Sequence, residues 1–432
     1  MKAMPTDPAR LAALDLVEAV LAGRRPLDMA LEESPRFAAL KGRERAFARN
    51  IASTTIRRLG QIDALIGKCL DRPLKGKAGR VRNLLRVGVC QLMFLDVAPH
   101  AAVDTTVGMA HELGLGPYKK LANALLRRLS RQGKKLVSDH DAARLNTPGW
   151  LWDSWARAYG PDTCRRIAEA HLSEPALDIT VKEDPQTWAG LLKASRLPTG
   201  GLRLERPGRV SALAGYGEGA WWIQDAAAAL PVRLLGNVEG KKVIDLCAAP
   251  GGKTAQLAAA GAQVVAVERS GKRLERLKAN LDRLKLSAQV VAADAQVWRP
   301  DEPADAVLLD APCTSTGAIR RHPDVAWLKT PSDVERLSAL QARLLKAAAR
   351  MVKPGGLVVY ACCSLQPEEG GDRVRALLET EAGMVRDPIS PEELFGIDEI
   401  VDSHGDLRCL PCHMSDDGGM DGFFAARLRR IK

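Results

Sequence analysis

From Lys241 to Cys363 the chain alternates short β-branched runs with helical stretches, and no other feature limits its fold as tightly. KVIDLCAA leads into a helix from Lys253, and QVVAVE into a helix over residues 271–286. AQVVAAD and DAVLLD follow, then a long helix over residues 333–352, and LVVYACC after the turn at 354–356. Strands that alternate with helices at this spacing pair in parallel, with both sheet faces covered by the crossover helices. Such sheets bind ligands beyond the carboxyl ends of their strands. Candidate chemistry therefore belongs at those ends.

The 432 residues exceed one ordinary core, so several domains are expected. Residues 1–140 show apolar positions at three-to-four spacing, as in LAALDLVEAVLAG and VRNLLRVGVCQLMFLDV, and predict an all-helical domain. Residues 141–235 mix short runs such as LDITVK and GLRLE with a helical TWAGLLKAS, and predict a small α/β connecting subdomain. Residues 236–432 form the α/β domain. Charge divides along the same line. Residues 1–145 hold 26 Lys+Arg against 14 Asp+Glu, a net of +12, whereas the other 287 hold 37 against 38. A basic module beside a near-neutral one points to a phosphate-backbone grip coupled to a chemical unit. Arg24, Arg25, Arg43, Arg45, Arg49, Arg57, Arg58, Arg80, Arg82 and Arg86 lie on the predicted helices as candidates for that grip.

With 46% apolar and 27% charged residues, the composition is that of a folded chain, and no run approaches the ~20 apolar residues of a bilayer span. The start, MKAMPTDPARLAALDLVEAVLAG, reads as an amphipathic helix rather than a signal peptide. Nine scattered cysteines, an odd number, indicate free thiols in a reducing compartment, so the expected location is cytoplasmic.

Asp245 to Thr254, DLCAAPGGKT, sits at a strand-to-helix junction where glycines admit close backbone approach and the helix start offers free N–H groups. A Walker A loop would need Gly where Cys247 stands, and the dinucleotide pattern GxGxxG is absent. An S-adenosylmethionine loop needs neither, although a purely structural turn also satisfies this segment alone. Glu268 then ends the next strand, where a carboxylate can accept ribose hydroxyls, and Asp294 ends the third, on the adenine side. Asp310-Ala-Pro-Cys313 and Tyr360-Ala-Cys-Cys363-Ser364 each put a thiol at a strand's carboxyl end. Two thiols suit one demand. Carbon 5 of cytosine is a poor nucleophile, and a thiolate adding to carbon 6 converts the ring to an enamine that can attack a methyl donor.

DLCAAPGGKT, LLDAPCTSTGAIRRHPDVAWL and YACCSLQPEEG closely resemble the signatures of RNA 5-methylcytosine methyltransferases of the Sun/RsmB group, supported by WIQDAAAALP and MDGFFAARL. The N-terminal third, with LLRVGVCQLMFLDVAPHAAVDTTVGMAHELG and ANALLRRL, is similar to the antitermination factor NusB. The resemblance implies a Rossmann-like class I methyltransferase domain behind a NusB-like helical RNA-binding domain. It implies S-adenosylmethionine as cofactor, and RNA, with small-subunit ribosomal RNA preferred to transfer RNA, as substrate. By motif, Cys363 matches the nucleophile, Cys313 the cysteine that helps release product, and Asp310 the acid that hydrogen-bonds the target base. Cys247, Ala248, Ala249, Pro250, Gly251, Gly252, Lys253, Glu268, Asp294 and Asp310 match cofactor-contacting positions. Cys362 stands where the family usually has Thr, and the register set by Ser364 assigns the nucleophile to Cys363. Arg320, Arg321 and His322 are expected to meet the RNA backbone.

Rival readings are a DNA cytosine methyltransferase, which would use the Pro-Cys thiol alone, and a non-catalytic RNA-binding assembly factor, which would not need both thiols. Cys409-Leu-Pro-Cys412-His413 fits the haem-attachment pattern CxxCH but lacks export features, and further zinc-ligand pairs are missing, so neither haem nor metal is expected. Neither a membrane nor an obligate protein partner is indicated.

Overall fold

The computed structural model describes residues 7–74, 78–205 and 207–432. The chain divides into two compact units, Met1–Ser173 with Arg321–Thr330, and Glu174–Arg320 with Pro331–Lys432.

The first unit is helical. Its opening helix, Pro8–Leu21, starts at Asp7, whose carboxylate caps the Arg10 N–H at 3.1 Å, and it buries Leu11, Leu14, Val17 and Val20 on one face. Residues 1–6, where the amphipathic reading of the start begins, lie outside the described residues. That face packs with the helices Gly42–Arg57 and Gly79–Phe94 in one apolar cluster. A second cluster joins Leu59–Cys69, Gly79–Phe94 and Lys119–Ser138. The helices Ala142–Leu145, Gly149–Tyr159 and Pro161–Ala170, which the sequence assigns to the connecting subdomain, belong to this unit.

So does Arg321–Thr330, from the stretch read as part of the first cysteine motif. Trp327 Nε1 donates to the Ile56 carbonyl at 3.0 Å, and Arg24 donates to the carbonyls of Trp327 at 2.7 Å and Leu328 at 2.5 Å. Asp324 accepts from the Leu27 N–H at 3.0 Å. Both partners of each bond lie in the helical unit.

The second unit holds two sheets. The smaller comprises β1 (Leu177–Val181), β2 (Ser195–Arg196), β3 (Leu202–Leu204) and β4 (Trp221–Ile223), antiparallel in the order β2-β3-β1-β4. The larger contains β5 (Lys242–Leu246), β6 (Gln263–Glu268), β7 (Gln289–Ala292), β8 (Ala304–Asp310) and β9 (Val352–Cys362). It is completed by β10 (Met384–Arg386), β11 (Leu407–Cys409) and β12 (Phe423–Arg430). Its order is β10-β12-β9-β8-β5-β6-β7, with β11 paired to β12. The five strands β5 to β9 are parallel, as the alternation predicts. The last three add antiparallel, so the sheet is mixed rather than purely parallel.

Side-chain alternation explains why the sheet is buried on both faces. Ile244, Leu246, Val307, Leu309, Val358 and Tyr360 enter one apolar cluster, while Val243, Ala306, Leu308, Val359 and Ala361 enter the other. Among the described residues no helix is long and apolar enough to cross a membrane.

Candidate active site

The loop after β5 is shaped by two residues in the left-handed region, Cys247 at φ 62° and Gly251 at φ 101°. A Cβ on Gly251 would meet Leu277 Cγ at 3.3 Å, so glycine is required there both for backbone and for space. Ala248 and Ala249 pack on Leu277 and Leu281, and Pro250 presents its carbonyl to Asn280 Nδ2 at 2.8 Å. The helix Gly252–Ala259 follows directly and turns Lys253 inward. Lys253 Nζ donates to Asp310 Oδ2 at 2.8 Å and lies 4.9 Å from the Phe423 ring centroid. Burial works against this ammonium, but Asp310 outweighs it and lifts its pKa above the usual lysine value. Burial likewise pushes the Cys247 thiol up to about 12, which makes it a space-filling thiol rather than a nucleophile.

Glu268 is the last residue of β6 and is buried. Its Oε1 accepts from the Ser270 N–H at 2.9 Å; its Oε2 accepts no hydrogen bond, with Arg273 Nη1 at 3.3 Å. Asp294, two residues beyond β7, accepts from the Gln296 N–H at 3.0 Å, and that bond chiefly lowers its pKa. A glycine-floored loop, an acceptor without a donor and a second acid two residues past the next strand fit the amino-acid, ribose and adenine portions of S-adenosylmethionine.

The two thiols meet. Asp310 pairs with Ala361 in the parallel register, so the loops after β8 and β9 leave the sheet side by side. Cys313 Sγ lies 3.4 Å from Cys363 Sγ, and both are partly exposed. Cys362 is fully buried at the end of β9, and its Sγ donates to the Glu369 carbonyl at 3.2 Å. Of the adjacent pair, only Cys363 can therefore meet a substrate in this geometry. The Gly317 N–H donates to the Cys363 carbonyl at 3.0 Å, and the Gly422 N–H donates to the Gly317 carbonyl at 2.8 Å. The Cys313 sulfur, then burial, pushes the Cys363 thiol well above its ordinary range; Cys362, then burial, keeps Cys313 high as well.

Other sequence expectations fare differently. Arg320 is buried and does not face solvent. Its guanidinium donates to Asp421 Oδ1 at 2.7 Å, Asp225 Oδ2 at 3.3 Å and the Gly418 carbonyl at 3.1 Å, so its RNA contact is replaced by a structural role. His322 Nδ1 lies 3.3 Å from Asp28 Oδ2 within the helical unit. Cys409 is buried in β11, and His413 Nδ1 accepts from the Leu410 N–H. Among the described residues no cluster of three His, Cys, Asp or Glu is placed to hold a metal ion.

Several arginines chosen from the sequence also serve the fold. Arg57 and Arg58 donate to the carbonyls of His171 and Leu172, and Arg86 chelates Asp63. Arg24, Arg25, Arg43, Arg45, Arg49 and Arg80 are exposed, and a further basic surface lies on Lys119–Ser138, a helix without an acidic residue. Its Lys120, Arg127, Arg128, Arg131, Lys134 and Lys135 are exposed. The run KKLANALLRRLSRQGKKL carried that signal in plain view.

Residues 232–429 match the family described as 16S rRNA methyltransferase RsmB/F, and residues 7–131 match the NusB family. Ribosomal RNA small subunit methyltransferase B of Salmonella typhi is 37% identical over 403 residues, covering 89% of this chain and 90% of its own length. The crystal structure of PH0851 is similar with TM-score 0.76 at 24% identity, covering 99% of this chain and 100% of that one. NSun6 from Pyrococcus horikoshii with SFG gives TM-score 0.57 at 22% identity, covering 66% and 98%. At these identities the two structures speak for the fold.

Proposed function

Because this chain belongs to the RsmB/F family of 16S rRNA methyltransferases, we propose that it methylates carbon 5 of a cytosine in small-subunit ribosomal RNA through a covalent adduct on Cys363. S-adenosylmethionine, its cofactor, supplies an electrophilic methyl group when bound. Cys247 to Lys253, Glu268, Asp294 and Asp310 would hold it. The observation that carries the reading is the 3.4 Å approach of two thiols from neighbouring strand tips, beside the Lys253–Asp310 pair.

The target cytosine leaves its stack so that both ring faces are reachable. Cys363 rests as a thiol and attacks carbon 6 as a thiolate, so its proton is lost as the base enters. Asp310, oriented by Lys253, hydrogen-bonds the base near ring nitrogen 3 and stabilises the adduct. After methylation a base such as water takes the carbon-5 proton. The C–H electron pair re-forms the 5,6 double bond as the carbon–sulfur bond breaks, and Cys363 departs as thiolate with its release assisted by Cys313. The acid-free basic helix Lys119–Ser138 supports an RNA-backbone grip in the helical unit.

Cys363→Ala should abolish methyl transfer to RNA and form no adduct, whereas Cys313→Ser should accumulate protein crosslinked to RNA on a denaturing gel. Equal, adduct-free inactivity of both variants would overturn the assignment.

A further inference from the structure

Glu369 is fully buried in the turn Pro367–Glu369, and among the described residues no Lys or Arg forms an ion pair with it. Its carboxylate is surrounded by donors. The Thr314 N–H reaches Oε1 at 2.9 Å, Ser364 Oγ reaches Oε2 at 2.6 Å, and Gln341 Nε2 reaches Oε1 at 3.0 Å. The Thr314 hydroxyl also donates to Oε2. Thr314 directly follows Cys313, and Ser364 directly follows Cys363. One side chain thus bridges the residues next to both thiols. Gln341 extends the bridge, donating to the Pro312 carbonyl at 2.9 Å. The Glu369 carbonyl accepts from Tyr360 Oη at 2.5 Å and from the Cys362 thiol.

We propose that Glu369 is a positioning residue that holds the Cys313 and Cys363 loops at reacting distance, a role that rests on the two-thiol reading above. A carboxylate is acceptor-only when ionised and offers about four lone-pair sites, which four donors from three elements can saturate. Burying that charge is unfavourable, and apolar packing would stabilise the turn at least as well. What an apolar residue cannot do is fix two loops in register by hydrogen bonds.

The test separates reach from charge. Glu369→Asp keeps the charge but shortens the arm by one methylene, so it cannot span both loops. Glu369→Gln keeps the span, and the hydroxyls of Thr314 and Ser364 can rotate to accept from its amide. Thiol spacing is read directly from the rate at which diamide closes a Cys313–Cys363 disulfide, two thiols being oxidised while the diazene takes up their two hydrogens. Peptide mass spectrometry follows the product, and methyl-transfer kinetics are run in parallel.

Glu369→Asp is expected to slow disulfide closure and lower kcat by at least about tenfold, with the KM for RNA changed by less than about threefold. Glu369→Gln is expected to close the disulfide as fast as the unaltered chain or faster, because losing a nearby negative charge favours thiolate. If Glu369→Asp lowers only Tm while closure and kcat stay at the unaltered values, or if Glu369→Gln slows closure as much as Glu369→Asp, the proposal is overturned. Closure is readable even if Cys313→Ser builds no adduct, so the two-thiol mechanism and the clamp can fail separately.

Discussion

Replacing Arg320 with Ala separates the structural role of that residue from the RNA contact its motif position suggests. The side chains of Arg320, Asp225 and Asp421 are 4%, 5% and 8% exposed, so their charges interact with little solvent screening. Removing the guanidinium leaves two buried carboxylates short of their cation and the Gly418 carbonyl short of a donor. Breaking a buried ion pair by deleting one partner costs about 3–5 kcal/mol. A unit of this size loses roughly 2–4 °C of Tm per kcal/mol, so melting should fall by roughly 6–20 °C. Arg320→Lys should recover little, because one ammonium cannot match a planar fork directed at two carboxylates. Thermal unfolding by circular dichroism measures the first quantity, and RNA affinity at several salt concentrations measures the alternative. A backbone contact would leave Tm unchanged and lower the salt slope by about one on removal. That outcome would refute the structural assignment.

Gly317→Ala should disable the site, since its Cβ would fall 2.0 Å from the Gly422 carbonyl oxygen, in backbone that carries Cys313 and touches Cys363. The expected cost is about 3 kcal/mol with a large fall in kcat, and Gly190→Ala, which meets nothing within 4 Å, is the control in the same unit. Asp245→Asn should change how stability depends on pH. Burial raises the Asp245 pKa from 3.8 to about 7, so its contribution is present below pH ~4 and is lost as pH rises through 7. Urea unfolding should therefore show Asp245→Asn gaining on the unaltered chain between pH 4 and 7, by at most about 4 kcal/mol, and levelling off above that. A pH-independent difference contradicts the burial argument.

Local pattern carried much of this molecule. The alternation of β-branched runs and helices marked β5 to β9, and residues at strand ends marked Glu268, Asp310, Cys313 and Cys363, because both signals are short-range. What stayed hidden depends on distant partners. Arg320 looked like a surface cation because Asp225 and Asp421 lie 95 and 101 positions away. The helical unit's claim on Arg321–Thr330 was masked by a motif that runs unbroken through it. Glu369 stood in a quoted motif, but nothing in its spacing says that one carboxylate reaches Thr314, 55 positions earlier. The antiparallel direction of β10 to β12 was illegible for a different reason, since alternation gives a strand its faces but not its direction.

The resting sulfurs bear on why a reactive thiol can sit safely beside two others. Cys313 and Cys363 face each other at 3.4 Å, and each is held protonated by neighbouring sulfur and by burial. A thiolate at Cys363 before substrate arrives would attack any small electrophile in the pocket, the methyl donor included. On the proposed mechanism, keeping the thiol protonated until a pyrimidine enters would make activation part of substrate binding, at the expense of a proton that must leave during attack. Cys247 marks the other extreme. It is pinned in a left-handed turn, pushed up to about 12 and packed against the core, and so stays inert beside the cofactor loop. Exposure does not separate these sulfurs, since Cys247, Cys313 and Cys363 are all partly exposed; what sets Cys313 and Cys363 apart is that they face each other at the tips of neighbouring strands.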